Sequence, residues 1–122
     1  MTCSRGIRGA ASVNENTPES ICETTIELIS KMLQQNSVKN EDISHVIFTL
    51  TTDLDAAFPA KFARNELGWD FVPMMCFNEL PVDGSIKKCL RALIVINTDI
   101  PQNKISHVYL GEAKRLRPEF GQ

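Results

Sequence analysis

No stretch of this sequence approaches the roughly 20 consecutive apolar residues needed to span a bilayer. The first ten residues carry Arg5 and Arg8 but no apolar run of the kind a secretory leader has, so none is expected there. An excess of one charge is also missing. Thirteen Lys and Arg against fifteen Asp and Glu leave a net charge of -2, which argues against a nucleic-acid binder with its usual basic surplus. Histidine is scarce, with only His45 and His107. The four cysteines, Cys3, Cys22, Cys76 and Cys89, never stand two residues apart, so neither a zinc site nor a redox dithiol is expected. Free thiols in a reducing cytoplasm are the expected state. Gly6-Ile7-Arg8-Gly9 is too short for a phosphate loop and lacks the following Lys-Thr or Lys-Ser. No Ser/His/Asp or Cys/His pairing stands out.

What is present is enough for one modest core. A chain of 122 residues that is 43% hydrophobic fits a single domain over 1–122. The run from Arg5 to Val13 alternates as a strand, with Arg5 and Ile7 on one face and Gly6 and Arg8 on the other. Thr17-Pro18-Glu19 has the cap, the first-turn proline and the acid of a helix start. Cys22, Ile26, Ile29 and Leu33 follow at helical spacing, with Thr25 and Met32 alongside, to an end near Asn36. A turn over Lys39 to Asp42 precedes a β-branched strand, His45 to Thr52. Pro59 opens a second helix, through Phe62 and Leu67, with Gly68 as its C-cap. Phe71 to Cys76 reads as a strand, Asp83-Gly84 as a turn, and Cys89 to Asn97 as a central strand. His107 to Ala113 reads as the last strand, and Arg115 to Gln122 as a tail. The order implies an α+β (mixed α/β) domain with a mixed sheet and two main helices. So small a domain often closes its sheet edges by oligomerisation.

Arg91 lies inside the most hydrophobic segment, between Cys89-Leu90 and Ala92-Leu93-Ile94. A buried guanidinium without a partner is costly. Arg91 therefore meets a protein carboxylate or an anionic ligand, unless it sits at the strand's exposed start and pairs with a surface acid. Arg8 poses the same alternative beside Gly9, where backbone or ligand can approach closely. Taken singly, Glu79 is a loop acid, Cys76 a small core residue and Tyr109 an amphipathic core residue, while Phe58 and Leu116 are packing residues.

Taken together, these segments carry more. Arg5-Gly6-Ile7-Arg8-Gly9-Ala10, Thr52-Asp53-Leu54, Phe58-Pro59-Ala60-Lys61, Gly68-Trp69 and Val72-Pro73 stand in order with Lys87-Lys88-Cys89-Leu90-Arg91, Thr98-Asp99-Ile100-Pro101-Gln102, His107-Val108-Tyr109-Leu110 and Leu116-Arg117-Pro118. Each block is weak alone; their order and spacing are specific. Over nearly the whole chain, Arg5 to about Pro118, the sequence resembles the monofunctional chorismate mutases of the Bacillus type, the AroH class.

That resemblance implies a homotrimeric pseudo β/α-barrel with three active sites in clefts between subunits. It implies a cytoplasmic isomerase of phenylalanine and tyrosine biosynthesis that turns chorismate into prephenate without cofactor or metal. Arg91 then resembles the residue that hydrogen-bonds the ether oxygen of the breaking bond. Arg8 resembles the partner of a substrate carboxylate, with Tyr109 alongside. Glu79 and Cys76 look like contacts to the substrate hydroxyl. The segment Met75, Cys76, Phe77 and Asn78 would line the pocket, partly through its backbone. Phe58 and Leu116 resemble apolar walls, and Arg64 and Arg117 cations at the cleft mouth. Met74-Met75 departs from the smaller or hydroxylated residues of many relatives, and the tail is shorter than in some.

The implied reaction explains the missing signatures. A concerted shift within one molecule needs no nucleophile, base or metal, only a folded substrate held with its reacting carbons close. Charge separates as the C–O bond breaks, so a fixed cation at the ether oxygen favours the transition state over the ground state. Arginine suits this because its fork is planar and permanently charged. Two other readings stand beside it: an enamine/imine deaminase, whose trimers also use an arginine to grip a carboxylate, and a non-catalytic sensor that keeps Arg8 but can dispense with Arg91.

Overall fold

The computed structural model describes residues 2–118. Strand β1 (Cys3–Ser12) leads into helix α1 (Pro18–Gln35), then β2 (Ile43–Leu50), helix α2 (Pro59–Leu67), β3 (Met74–Asn78), β4 (Cys89–Thr98) and β5 (Val108–Leu110). Short 3-10 turns sit at Asn40–Asp42, Gln102–Lys104 and Gly111–Arg115.

Helix α1 starts where its sequence dictates. The Thr17 hydroxyl accepts the Ser20 N–H at 3.1 Å, Pro18 fills the first turn, and Glu19 faces the positive helix end. At the other end the Asn36 amide donates to the carbonyls of Met32 and Ser106, both at 2.8 Å, and accepts the Ser106 N–H at 2.8 Å. This buried amide ties the helix end to the segment entering β5. The buried stripe is Ile21, Thr25, Leu28, Ile29 and Met32. Of the expected stripe, Thr25, Ile29 and Met32 are buried, while Cys22, Ile26 and Leu33 are half-buried at its border. Helix α2 lies alongside α1 and brings Glu66 near Cys22. Thr25 tolerates burial because its hydroxyl donates to the Ile21 carbonyl at 2.7 Å.

The five strands form one mixed sheet in the order β3-β2-β4-β1-β5. β4 is central, antiparallel to both β1 and β2, while β3 and β5 run parallel to their neighbours. Along β4 the side chains alternate. Leu90, Ala92, Ile94 and Ile96 are buried in the core with Ile7, Phe48 and the α1 stripe. Arg91, Leu93, Val95 and Asn97 point to the opposite face, which the two helices leave uncovered. α1 presses so closely on β1 that a Cβ at Gly9 would stand 2.5 Å from the Met32 sulfur.

Several expected boundaries move; β1 and β2 start earlier than expected, at Cys3 and Ile43, and β3 runs on to Asn78. β2 stops at Leu50 rather than Thr52, because the Thr51 hydroxyl takes the Cys89 N–H at 2.9 Å and the strand gives way to a turn. β3 begins at Met74, not Phe71, which is 99% exposed in the preceding turn. The last strand ends at Leu110 rather than Ala113. Gly111 adopts a left-handed φ of 60°, and the chain turns into the 3-10 segment that closes with the Leu116 N–H on the Ala113 carbonyl at 3.0 Å. The expected tail from Arg115 is therefore structured at its start; Glu119 to Gln122 lie outside the described residues.

Candidate active site

Register places the charged residues together on the uncovered face. Arg91 of β4 stands opposite Thr49 on one side and Ala10 on the other, and Arg8 stands opposite Leu93. Paired residues of neighbouring strands share a face, so Arg8, Thr49 and Arg91 do so. Glu79 follows β3, and its N–H donates to the Leu50 carbonyl at 2.8 Å, which carries the β3 direction one residue further. Its carboxylate thereby reaches the same place. A cavity of about 300 Å³ is lined by Arg8, Ile47, Thr49, Glu79, Arg91, Ala92 and Leu93.

Within it, Glu79 Oε1 lies 3.3 Å from Arg91 Nε, and both side chains are about three-quarters buried, at 22% and 23% exposure. The approach is a charge contact and lacks hydrogen-bond geometry, so the buried Nε–H has no hydrogen-bond partner among the described residues. The same carboxylate oxygen accepts the Thr49 hydroxyl in a short hydrogen bond. Thr49 thus aims Glu79. Two guanidinium groups against one carboxylate leave the cavity net positive, as an anionic ligand requires.

Tyr109, on β5 opposite Ala10, is buried in a small cluster with Ala10, Cys89 and Ala113. Leu116 packs on that cluster, beside the Arg91 end of the face. Burial pushes the Cys89 thiol up despite the neighbouring Arg91 cation, so it is neutral at the floor of the site. Arg117 is exposed, and its charge bears on His107.

The remaining expected residues divide between the two sides of edge strand β3. Met75 and Phe77, at 60% and 47% exposure, stand opposite Ile47 and Thr49 and share their face. Cys76 and Asn78 alternate to the helix side. There, with Phe58, Phe62 and Lys61 near the start of α2, they line a larger hollow of about 610 Å³, which Phe77 between them also borders. Burial raises the Cys76 thiol, against a smaller opposing hydrogen bond from the Ala60 backbone. Within one chain, Phe58, Cys76 and Asn78 do not join the Arg8–Glu79–Arg91 cavity. Arg64, exposed in the last turn of α2, lines neither space. The larger hollow has Asp55 and Lys61 as its charged lining, whereas the smaller one brings two arginines against Glu79.

Sequence reasoning missed two members of these sites. Thr49 was hidden in a β-branched run, where threonine is an ordinary strand former. Lys61 was quoted only as part of a block, though a lone lysine beside Phe58 at a helix start was a usable signal.

Comparison with known proteins gives concordant matches. The family description that fits residues 4–120 is Chorismate mutase type I. Chorismate mutase AroH of Bacillus subtilis (strain 168) is 44% identical over 116 residues, 95% of this chain and 91% of that protein. Chorismate mutase AroH of Thermus thermophilus is 50% identical over 117 residues, 95% of each. A solved structure of chorismate mutase from Clostridium thermocellum superposes with a TM-score of 0.87 at 46% identity, covering 90% of this chain and 97% of that one.

Proposed function

The chain belongs to the type I chorismate mutase family, and from that premise we propose how it carries out the family's reaction. It is an isomerase that converts chorismate to prephenate, a step of aromatic amino-acid biosynthesis. The whole chain serves as one such domain, and it works in the cytoplasm. In our reading, Arg91 donates to the ether oxygen as the C–O bond lengthens. Arg8 holds a substrate carboxylate, with Tyr109 bounding that side. Glu79 accepts the substrate hydroxyl and faces the positive charge that grows on the ring.

The observation that carries this reading is the net-positive cavity in which Arg8 and Arg91 flank a single carboxylate held by Thr49. The rearrangement transfers no proton and forms no enzyme bond, so the site's work is to fold the dianion and stabilise separating charge. The breaking bond's oxygen gains negative charge in the transition state, and a preorganised cation there is used most at that moment.

The reading extends to assembly. Phe58, Cys76 and Asn78 stand on the helix side of β3 and Arg8, Glu79 and Arg91 on the open side. One substrate touches both sets only if two chains meet. A homotrimer, with the cation set of one subunit facing the Phe58 hollow of the next, satisfies that geometry. It would also cover the apolar open face around Ile47, Met75, Phe77 and Leu93. In this arrangement Met75 to Asn78 line the cleft, Phe58 and Leu116 form apolar walls, and Arg64 and Arg117 draw the dianion to its mouth.

The decisive experiment follows chorismate disappearance with Arg91→Ala and Arg91→Lys. Removing one preorganised donor from a site of this kind costs roughly 10²–10³ in rate, and Arg91→Ala is expected to lose at least that, mostly in kcat. Near-normal turnover by the folded variant would sink the assignment. Arg8→Ala is expected to lose both binding and rate.

A further inference from the structure

We infer that His107 is a positioning residue for Arg8: its neutral imidazole accepts the Arg8 backbone N–H and fixes where that guanidinium meets the substrate carboxylate. The inference rests on the reading of Arg8 as the carboxylate grip.

The ladder between β1 and β5 begins only at Gly9 opposite Val108. Arg8 lies one residue before it, so its N–H has no strand carbonyl assigned to it there. The acceptor is a side chain instead: Arg8 N–H donates to His107 Nδ1 at 2.9 Å. An N–H donor requires an unprotonated acceptor, so the ring hydrogen sits on Nε2. The imidazole thereby extends the β1–β5 ladder by one rung, at the residue whose side chain enters the cavity.

His107 is itself anchored. The preceding Ser106 has its N–H and its carbonyl both bonded to the Asn36 amide at 2.8 Å, and its hydroxyl donates to Gln35 at 2.7 Å. The end of α1 thus contributes two uncharged partners beside the histidine. Among the described residues, the charged groups bearing on the ring are Arg8 from β1 and Arg117 from the segment after the last 3-10 turn, both cations. Burial, then Arg117 and Arg8, hold the imidazole below its ordinary range. The neutral form is therefore the working form at neutral pH. Acid that protonates Nδ1 turns the acceptor into a donor facing a donor, and the rung opens. Because the folded value is lowered, the rung is intact at and above the ordinary imidazole range and is lost as pH falls through the folded value.

The test measures kcat and KM for chorismate from about pH 5 to 8, where substrate carboxylates stay largely ionised, in the wild type, His107→Ala and His107→Asn. Asparagine carries its Oδ1 where histidine carries Nδ1, and it does not titrate. The loss of one hydrogen bond predicts roughly a five- to tenfold rise in KM for His107→Ala, with kcat changed by less than about twofold. His107→Asn should recover most of that loss. Wild-type KM should climb toward acid while that of His107→Asn stays flat. The inference is overturned if KM of His107→Ala matches wild type. It is equally overturned if folded His107→Asn is no better than the alanine variant, or if wild type and His107→Asn share one pH profile. Arg8→Ala separates the two levels: unchanged KM there defeats the carboxylate-grip reading itself, whereas a raised KM there with an unmoved His107→Ala defeats only the role of His107.

Discussion

Glu79 Oε1 faces Arg91 Nε at 3.3 Å while the Thr49 hydroxyl donates to that same oxygen. One carboxylate oxygen is thus shared between a cation and an uncharged positioning group. In the proposed mechanism the other oxygen takes the substrate hydroxyl. Removing the uncharged partner is the gentler way to ask how tightly the carboxylate must be aimed.

Thr49→Val keeps the shape of the strand position and removes the donor. The expected result is a fall in kcat/KM of roughly three- to tenfold, the worth of one hydrogen bond, with Thr49→Ser close to wild type. Steady-state assays of the pair check it; equal behaviour of valine and serine would show that Glu79 aims itself.

Arg64 is exposed and lines neither cavity, so the role proposed for it is long-range attraction of the dianion. Arg64→Ala should lower kcat/KM at low ionic strength, and the difference from wild type should close as salt rises from about 0.02 to 0.5 M, where screening shortens to a few Å. A deficit independent of salt would mean a direct contact instead.

Burial pushes the Cys76 thiol up, so little thiolate forms at neutral pH. Cys76→Ser should keep kcat within about threefold of wild type. Iodoacetamide should label the exposed Cys3 well before Cys76, as peptide mass mapping over time would reveal. A folded but inactive serine variant would contradict the absence of covalent chemistry.

Asp53 accepts the Lys88 N–H with both oxygens, at 3.1 and 2.9 Å, and also the Thr51 hydroxyl. Burial alone would raise its carboxyl, but these hydrogen bonds outweigh that and hold it below the ordinary value. A lowered folded value means stability that is present above the ordinary carboxylate range and is lost as pH falls through the folded value. Asp53→Ala should cost about 1 kcal/mol at neutral pH, with the gap to wild type shrinking in acid. Urea midpoints at several pH values measure it. The same clamp holds Lys88 at a left-handed φ of 47°, two peptide bonds before β4 brings Leu90 to the core and three before Arg91.

Much of this fold was legible in the sequence because local chemistry and tertiary need agreed. Thr17-Pro18 and Gly68 mark helix ends by mechanisms confined to a single turn. The β4 segment could only be central, since both its faces read as apolar apart from Arg91. Boundaries failed where a side chain or a backbone angle ended a strand that composition would have continued, as at Thr51 and Gly111. The α1 stripe was placed in part: Thr25, Ile29 and Met32 are buried, but its centre lies toward Ile21 and Leu28 and leaves Cys22, Ile26 and Leu33 at the border. At the candidate site, Arg8, Glu79 and Arg91 were nameable as residues. Their company was not: Thr49 and His107 act through hydrogen bonds to partners 30 and 99 positions away, and no local pattern encodes such pairs. Nor could sequence tell that Met75 and Cys76, adjacent in the chain, turn to opposite faces until the register of β3 was known.

The alternation along β4 has a consequence for how this gene can vary. Its even positions fill the core and its odd positions from Arg91 onward furnish the open face that carries the candidate site, so a one-residue insertion or deletion inside the strand exchanges the two. Arg91 would then be driven into the interior while Leu90 or Ala92 took its place above. Substitutions along β4 can damage the framework or the reaction separately. A change of length damages both in one step, whereas the loop between Leu80 and Lys87 can absorb extra residues without altering either parity.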